Sequence, residues 1–176
     1  MFALVKKLDK PCGTVTIKES GNYLVLCSMQ DPGNLGTVLR VADAMNIDQA
    51  FLYRCCDVYQ PKVVRSSMGA LFHLPFSICD EIDSLFKLFS GANVPTIATT
   101  LSKDSETVFS LSSNSGGALF IGNEGNGLER EIIDICDMRI TIPTPGRAES
   151  LNAAIAASIC MWELVRDKVW RGTLNE

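Results

Sequence analysis

Residues 23–45 read YLVLCSMQDPGNLGTVLRVADAM. The stretch from Tyr23 to Met29 is almost wholly apolar, as a strand buried on both faces of a parallel sheet must be. Asp31-Pro32-Gly33 then turns the chain, and Asn34 has the side chain to cap a following helix. Leu35, Val38, Leu39, Ala42 and Met45 recur at helical spacing, which predicts a helix over Leu35 to Met45 packed on the sheet, with Arg40 pointing away. Strand, turn and amphipathic helix make one β-α unit.

Outward from it the alternation repeats. Strands are predicted over Ala50 to Tyr53, Leu74 to Ile78, Thr96 to Thr100, Ala118 to Ile121 and Met138 to Ile142. Helices are predicted over Pro61 to Leu71, Ile82 to Phe89, Leu128 to Ile135 and Leu151 to Arg171. The expected fold class is α/β, a single domain with a mainly parallel sheet flanked by helices. Residues 1–22 are more polar, with Pro11, Gly13 and Gly21, and read as an irregular lead-in or the remnant of a linker before a domain over 23–176. SLSSNSGG at 110–117 reads as a polar loop.

Of 176 residues 47% are hydrophobic and 20% charged, so a core can form without a disulfide or metal staple. A formal net charge of -4 argues against gripping nucleic acid by bulk charge and leaves room for one local basic face. Leu151 to Val165 is the nearest approach to a membrane span, and Asn152, Ser158 and Glu163 break it. Lys6 and Lys7 interrupt the N-terminus before an apolar signal region develops, so a cytoplasmic protein is expected. The 7 cysteines show no C-x-x-C spacing and read as reduced, buried small hydrophobes. His73 is the 1 histidine, which excludes a multi-His metal centre and disfavours a Ser-His-Asp triad; no metal is expected.

Three segments hold more Gly, Asn and Pro than a connection needs, and each adjoins a predicted strand, where open α/β sheets bind ligands. In DPGNLGTVLR, residues 31–40, Gly36 and Arg40 share a helical face, so a guanidinium stands beside a place where a ligand or backbone can approach. LFIGNEGNGLER, residues 119–130, has glycines that permit positive φ and expose backbone N–H groups, with Glu124 among them. Its order is not the dinucleotide fingerprint, and Arg147 and Ala148 stand where a ribose-binding carboxylate belongs, so a nicotinamide reading is weak. ITIPTPGRAESLNAAIAAS, residues 140–158, makes a rigid turn and then a helix that Ser150 is placed to cap, its Ala-rich start admitting a close neighbour.

Taken together, NLGTVLRVADAMNI, FIGNEGNGL and IPTPGRAESLNAAIA resemble, in order, the three motifs of the SpoU-type RNA ribose 2′-O-methyltransferases of the SPOUT class, and SSMGALFHLP resembles the segment between the first two. The resemblance covers roughly residues 22 to 170. It implies methyl transfer from S-adenosylmethionine to a ribose 2′-hydroxyl of ribosomal or transfer RNA, by a homodimer with a C-terminal deep trefoil knot. It also implies cofactor-binding positions at Thr99, Gly122, Asn123, Gly127, Ile142, Pro143, Ser150, Leu151 and Asn152. Arg40 corresponds to the catalytic arginine, with Asn34, Glu124, Ser150 and Asn152 completing the constellation. Because a guanidinium stays charged, Arg40 is expected to orient ribose or phosphate and offset alkoxide charge rather than remove a proton. Glu124 is expected to position loops or the arginine.

Many members of that family carry an N-terminal RNA-binding domain, and MFALVKKLDKP resembles the joint to it. The chain is therefore expected to be either an isolated catalytic domain cut from a longer protein or a naturally short enzyme. A non-catalytic RNA-binding or assembly module of the same fold is the alternative, against which the presence of Asn34, Arg40, Glu124, Ser150 and Asn152 argues. A nucleotide-binding oxidoreductase lacks its phosphate loop.

Overall fold

The computed structural model describes residues 7–102, 104–111, 116–147 and 150–173, and side chains as far as residue 167. Ala148, and residues 112–115 of the polar loop, fall outside it. In chain order the elements are β1 (Asn22–Cys27), α1 (Pro32–Ala44), β2 (Gln49–Tyr53), α2 (Pro61–Ser66), β3 (Phe76–Cys79), α3 (Ile82–Ser90), β4 (Thr96–Thr99), β5 (Glu106–Thr107), β6 (Gly117–Ile121), α4 (Arg130–Ile135), β7 (Met138–Thr141) and α5 (Ala153–Thr173). The seven strands form one parallel sheet in the order β3-β2-β1-β6-β4-β7-β5.

Side chains alternate across β1 and build a core on each face. Leu24 and Leu26 join Leu35 and Leu39 of α1, Val63 of α2, and Ala157 and Met161 of α5. Tyr23, Val25 and Cys27 join Phe51, Phe89 of α3, Phe120 and Ile132 of α4. On this second face Phe51 and Phe89 meet edge to face at 5.5 Å between ring centroids, and Phe86 stacks on Phe120 at 5.1 Å. Phe51, Phe89 and Phe120 are fully buried, and each contributes about 1.5–3 kcal/mol of hydrophobic stabilisation.

The chain runs from β1 outward through β2 to β3, and fills the other side of β1 later with β6. The order of the strands therefore reverses between β1 and β6. At such a switch point the connecting loops diverge and leave a crevice beyond the strands' carboxyl ends.

Several expectations change. The first helix runs from Pro32 to Ala44 rather than from Leu35 to Met45. The helix predicted to reach Leu71 stops at Ser66, because Met68 and Gly69 take φ of 51° and 95°, and a 3-10 turn over Ala70–Phe72 follows. The last helix begins at Ala153 rather than Leu151. β5 pairs with β7 although no strand is predicted there. The described part of the lead-in is irregular yet docked. The Tyr59 hydroxyl accepts the backbone N–H groups of Leu8 and Asp9 and donates to the Asp9 carboxylate; the Lys10 N–H donates to the Phe76 carbonyl at 3.1 Å. Cys12, Val15 and Ile17 pack against the second core.

Candidate active site

At the start of α1 the helix cap is Asp31, whose carboxylate accepts the Asn34 N–H at 2.8 Å, with Pro32 in the first helical position. That hydrogen bond, ahead of nearby Lys62, holds the Asp31 carboxyl below its ordinary pKa. Asn34 is thus not the cap, and its amide is released for contacts across the site. Its Nδ2 donates to Glu124 Oε1 at 3.3 Å, and its Oδ1 accepts from Asn152 Nδ2 at 3.1 Å.

Asn152 in turn caps α5. Its Oδ1 accepts the N–H groups of Ala154 and Ile155 at 2.9 and 3.3 Å, in the role expected of Ser150. Ser150 is exposed, with no side-chain hydrogen bond among the described residues. Glu124 also accepts the backbone N–H groups of Asp31 and Gln30, at 3.1 and 3.3 Å. One carboxylate thus gathers the turn before α1, and through Asn34 and Asn152 joins the starts of two helices whose N-terminal dipoles favour its charge. The three sequence segments meet at this point.

The glycine-rich loop differs from expectation. Asn123 and Gly127 exchange backbone hydrogen bonds at 2.9 Å, and Asn123 Oδ1 accepts the N–H groups of Gly125 and Asn126 at 2.8 and 3.2 Å. Asn123 Nδ2 donates to the Ser28 carbonyl at 2.8 Å. Four of the loop's N–H groups are therefore spent inside it, and it is not the open amide cradle its glycines suggest. A Cβ on Gly122 would stand 2.1 Å from the Gly127 carbonyl carbon, and Gly127 takes φ 69°. These glycines serve the loop's own fold.

Two other expected close approaches are also internal. A Cβ on Gly36 would meet Ser66 Oγ at 1.9 Å and the Val63 carbonyl at 2.7 Å, so α2, not a ligand, occupies that space. Ala154 and Ala157 are buried in the first core rather than offered to a partner.

The 142–147 segment behaves in the opposite way. Residues 143–147 are exposed and make no hydrogen bond among the described residues, while Ile142 and Leu151 are half-buried. Thr99, at the end of β4, donates its hydroxyl to the Phe120 carbonyl at 3.0 Å. Thr99 ends β4, and Gly122 to Gly127 and Ile142 to Pro143 follow β6 and β7, so all three stand at the carboxyl ends of neighbouring strands. Arg40 is not part of the hydrogen-bonded cluster. It is exposed, without an ion pair among the described residues, and six residues beyond Asn34, about 9 Å along α1.

The family model for the SpoU rRNA Methylase family matches residues 21–162. The chain belongs to this family. Over 142 residues it is 33% identical to the 23S rRNA (guanosine(2553)-2'-O)-methyltransferase RlmP of Bacillus subtilis, covering 80% of this chain and 56% of that protein. Among solved SpoU-like structures, the AdoMet-bound rRNA methyltransferase of Sinorhizobium meliloti superposes with a TM-score of 0.85 at 31% identity, covering 90% of this chain and 61% of that one. The SpoU methyltransferase AviRb of Streptomyces viridochromogenes, in complex with AdoMet, gives 0.81 at 31% identity, covering 88% and 63%. The chain spans little more than half the length of the curated relatives it matches.

No metal-holding group of His, Cys, Asp and Glu occurs among the described residues. None of their helices is long and apolar enough to cross a membrane. The cysteines are all free; Cys27, Cys79, Cys136 and Cys160 are buried and Cys12, Cys55 and Cys56 half-buried. Sequence reasoning passed over Asp31 as a cap, although an acidic residue before Pro is a recognised helix start. It also passed over Gln30 and Arg54, which carry no motif signal.

Proposed function

We propose that this chain carries the catalytic domain of an S-adenosylmethionine-dependent RNA ribose 2′-O-methyltransferase acting on ribosomal or transfer RNA. The observation that carries the reading is the Glu124, Asn34 and Asn152 chain of hydrogen bonds, which joins the three motif segments at the switch point of the sheet. The residues present fit the cofactor. Segment 143–147 offers backbone donors and acceptors that no other described residue engages, and Ile142, Pro143 and Leu151 offer partly exposed apolar surface for a purine ring.

Bound S-adenosylmethionine supplies a methyl already activated on a sulfonium, so the protein's part is to orient the nucleophile and exclude water. The wired loop fixes one wall and the 143–147 segment holds the other. Arg40 holds the ribose or its phosphate and offsets negative charge on the 2′-oxygen as its proton leaves. Its distance from the polar cluster favours a site completed in a homodimer. Ile155 and Trp162, seven residues apart on one side of α5, are 54% and 46% exposed and suit such an interface. The family's trefoil knot belongs to the same reading.

Calorimetry with S-adenosylmethionine and with NAD, followed by single-turnover methylation of RNA from cells lacking the gene, tests it. Cofactor binding, ribose methylation and a dimeric mass are expected. Arg40→Ala should lower the rate by roughly 10² with little change in cofactor affinity, and Arg40→Lys should recover little because an ammonium lacks the planar fork. A folded protein that binds neither S-adenosylmethionine nor its demethylated product at millimolar concentration overturns the assignment.

A further inference from the structure

Beyond the carboxyl ends of β2 and β3 lies a cavity of about 270 Å³, and nothing in the methyl-transfer reading uses it. Leu52, Val58 and Ile78 are part of its apolar lining, and Arg54, Asp57 and Asp80 bring charge to it. Ile78 leaves 43% of its surface uncovered at the end of a strand.

Arg54 takes a left-handed backbone with φ 52°, uncommon for a long side chain and a form of strain that persists where the surroundings hold it. Its carbonyl accepts Gln30 Nε2 at 2.7 Å. Its guanidinium lies 4.7 Å from the Tyr53 ring centroid and 3.6 Å from Glu129, with 61% of the side chain exposed. The cation is thus backed by an aromatic ring, and the side chain as a whole stays largely open to water. Asp57 and Asp80 are exposed carboxylates, acceptors only, and Asp57 gives Oδ1 to the Tyr59 N–H at 3.0 Å. Their remaining oxygens seek donors.

The cavity is bonded to the catalytic rim. The Gln30 N–H donates to Glu124, and the Cys56 N–H, from the cavity wall, donates to the Met29 carbonyl at 2.9 Å. A ligand here lies beside the strand end that leads into α1.

An anion is a poor occupant, since the lining carries two carboxylates and one arginine that Glu129 already pairs. The features instead match a planar heterocycle with an apolar face, able to stack on a guanidinium and carrying adjacent N–H donors on one edge. Unstacked RNA bases are recognised in this way, by stacking on arginine planes and by hydrogen bonds to the Watson–Crick edge. Of the four bases, guanine presents two adjacent donors, at N1 and N2, which a carboxylate takes together.

We propose that this cavity receives a guanine of the substrate RNA, unstacked beside the target ribose, with Arg54 as the stacking platform and Asp57 and Asp80 accepting from its edge. The proposal rests on the RNA-methyltransferase reading above. Guanosine, adenosine, cytidine and uridine 5′-monophosphates titrated into the ¹⁵N-labelled chain test it. GMP should move the amide signals of residues 54–58 and 78–80 with a midpoint of about 1–10 mM, and the other three at least several-fold more weakly.

Asp57→Asn, Asp80→Asn and Arg54→Lys should each weaken the GMP response by about fivefold or more, with S-adenosylmethionine affinity unchanged. The Asn at 57 keeps an oxygen for the Tyr59 N–H, so the loop itself is preserved. Equal responses to all four nucleotides, a response that survives both Asp substitutions, or none up to about 20 mM overturns the cavity assignment. Failure of the wild-type chain to bind S-adenosylmethionine strikes the function proposed above, while the nucleotide titration reads the cavity by itself.

Discussion

Two loops leave the carboxyl ends of strands in the same half of the sheet and are built on opposite principles. The loop after β6, residues 122–127, spends its amides on itself around Asn123, with glycines where its own backbone crowds. The loop after β7 is exposed over 143–147, without a hydrogen bond among the described residues, and is shaped by Pro143 and Pro145 instead. Sequence alone made them look alike, since both are rich in turn residues. The first is a fixed wall whose contacts are spent, and the second keeps its backbone available.

The sharpest test of that contrast is Gly122→Ala. The added carbon meets backbone at 2.1 Å, which no side-chain rotation relieves. A loss of about 3 kcal/mol or more of stability is expected, with cofactor binding abolished. A melting midpoint within a degree of wild type would show that the wall is not rigid.

Asn123→Ala removes the acceptor of two loop amides and the donor to the Ser28 carbonyl. It should cost about 2–3 kcal/mol in chemical denaturation, with an unchanged slope.

The buried cysteines set a pH limit on the fold as a whole. Burial pushes the Cys55 thiol up to about 12, and its Sγ donates to the Leu26 carbonyl at 3.2 Å; Cys136 and Cys160 are likewise pushed up to about 12 by burial. Because the folded values lie above the unfolded value of about 8.5, their contribution is complete below pH ~8.5 and is lost as pH rises toward 12. Each thiol withdraws up to about 1.4 kcal/mol per pH unit in that window. Melting curves should coincide from pH 6 to about 8 and fall beyond about pH 9; a midpoint constant to about pH 10 would contradict the burial of these thiols.

The smallest stability change belongs to the open loop. Pro145→Gly should alter stability by less than about 1 kcal/mol through the unfolded chain, yet weaken S-adenosylmethionine by about threefold, because the loop then orders only on binding. If it destabilises as much as Gly122→Ala, the contrast between the loops fails.

The central strands were legible because two-sided burial writes continuous apolar runs such as Tyr23 to Cys27. β5 was not, since Glu106 and Thr107 are two exposed polar residues whose pairing depends on β7. The caps went astray for a related reason. Asn34 and Ser150 have suitable side chains, but Asp31 and Asn152 take those roles, and Asn34 is recruited by partners 90 and 118 residues away. The α2 backbone under Gly36 is equally beyond local spacing. Asn34, Glu124 and Asn152 were each singled out in the sequence, but that they hydrogen-bond to one another needed the fold.

The lead-in has a consequence for solubility. β3 ends the sheet on one side, and its outer row of unpaired backbone groups would otherwise invite a strand from another molecule. The Lys10 N–H takes the Phe76 carbonyl there, and the 3-10 turn at Cys12–Thr14 lies against the same strand. At the opposite end β5 is only two residues long, exposed, and carries a glutamate. One border of the sheet is partly occupied by its own lead-in and the other is two residues long with a glutamate, both features that work against edge-to-edge pairing of this largely apolar parallel sheet.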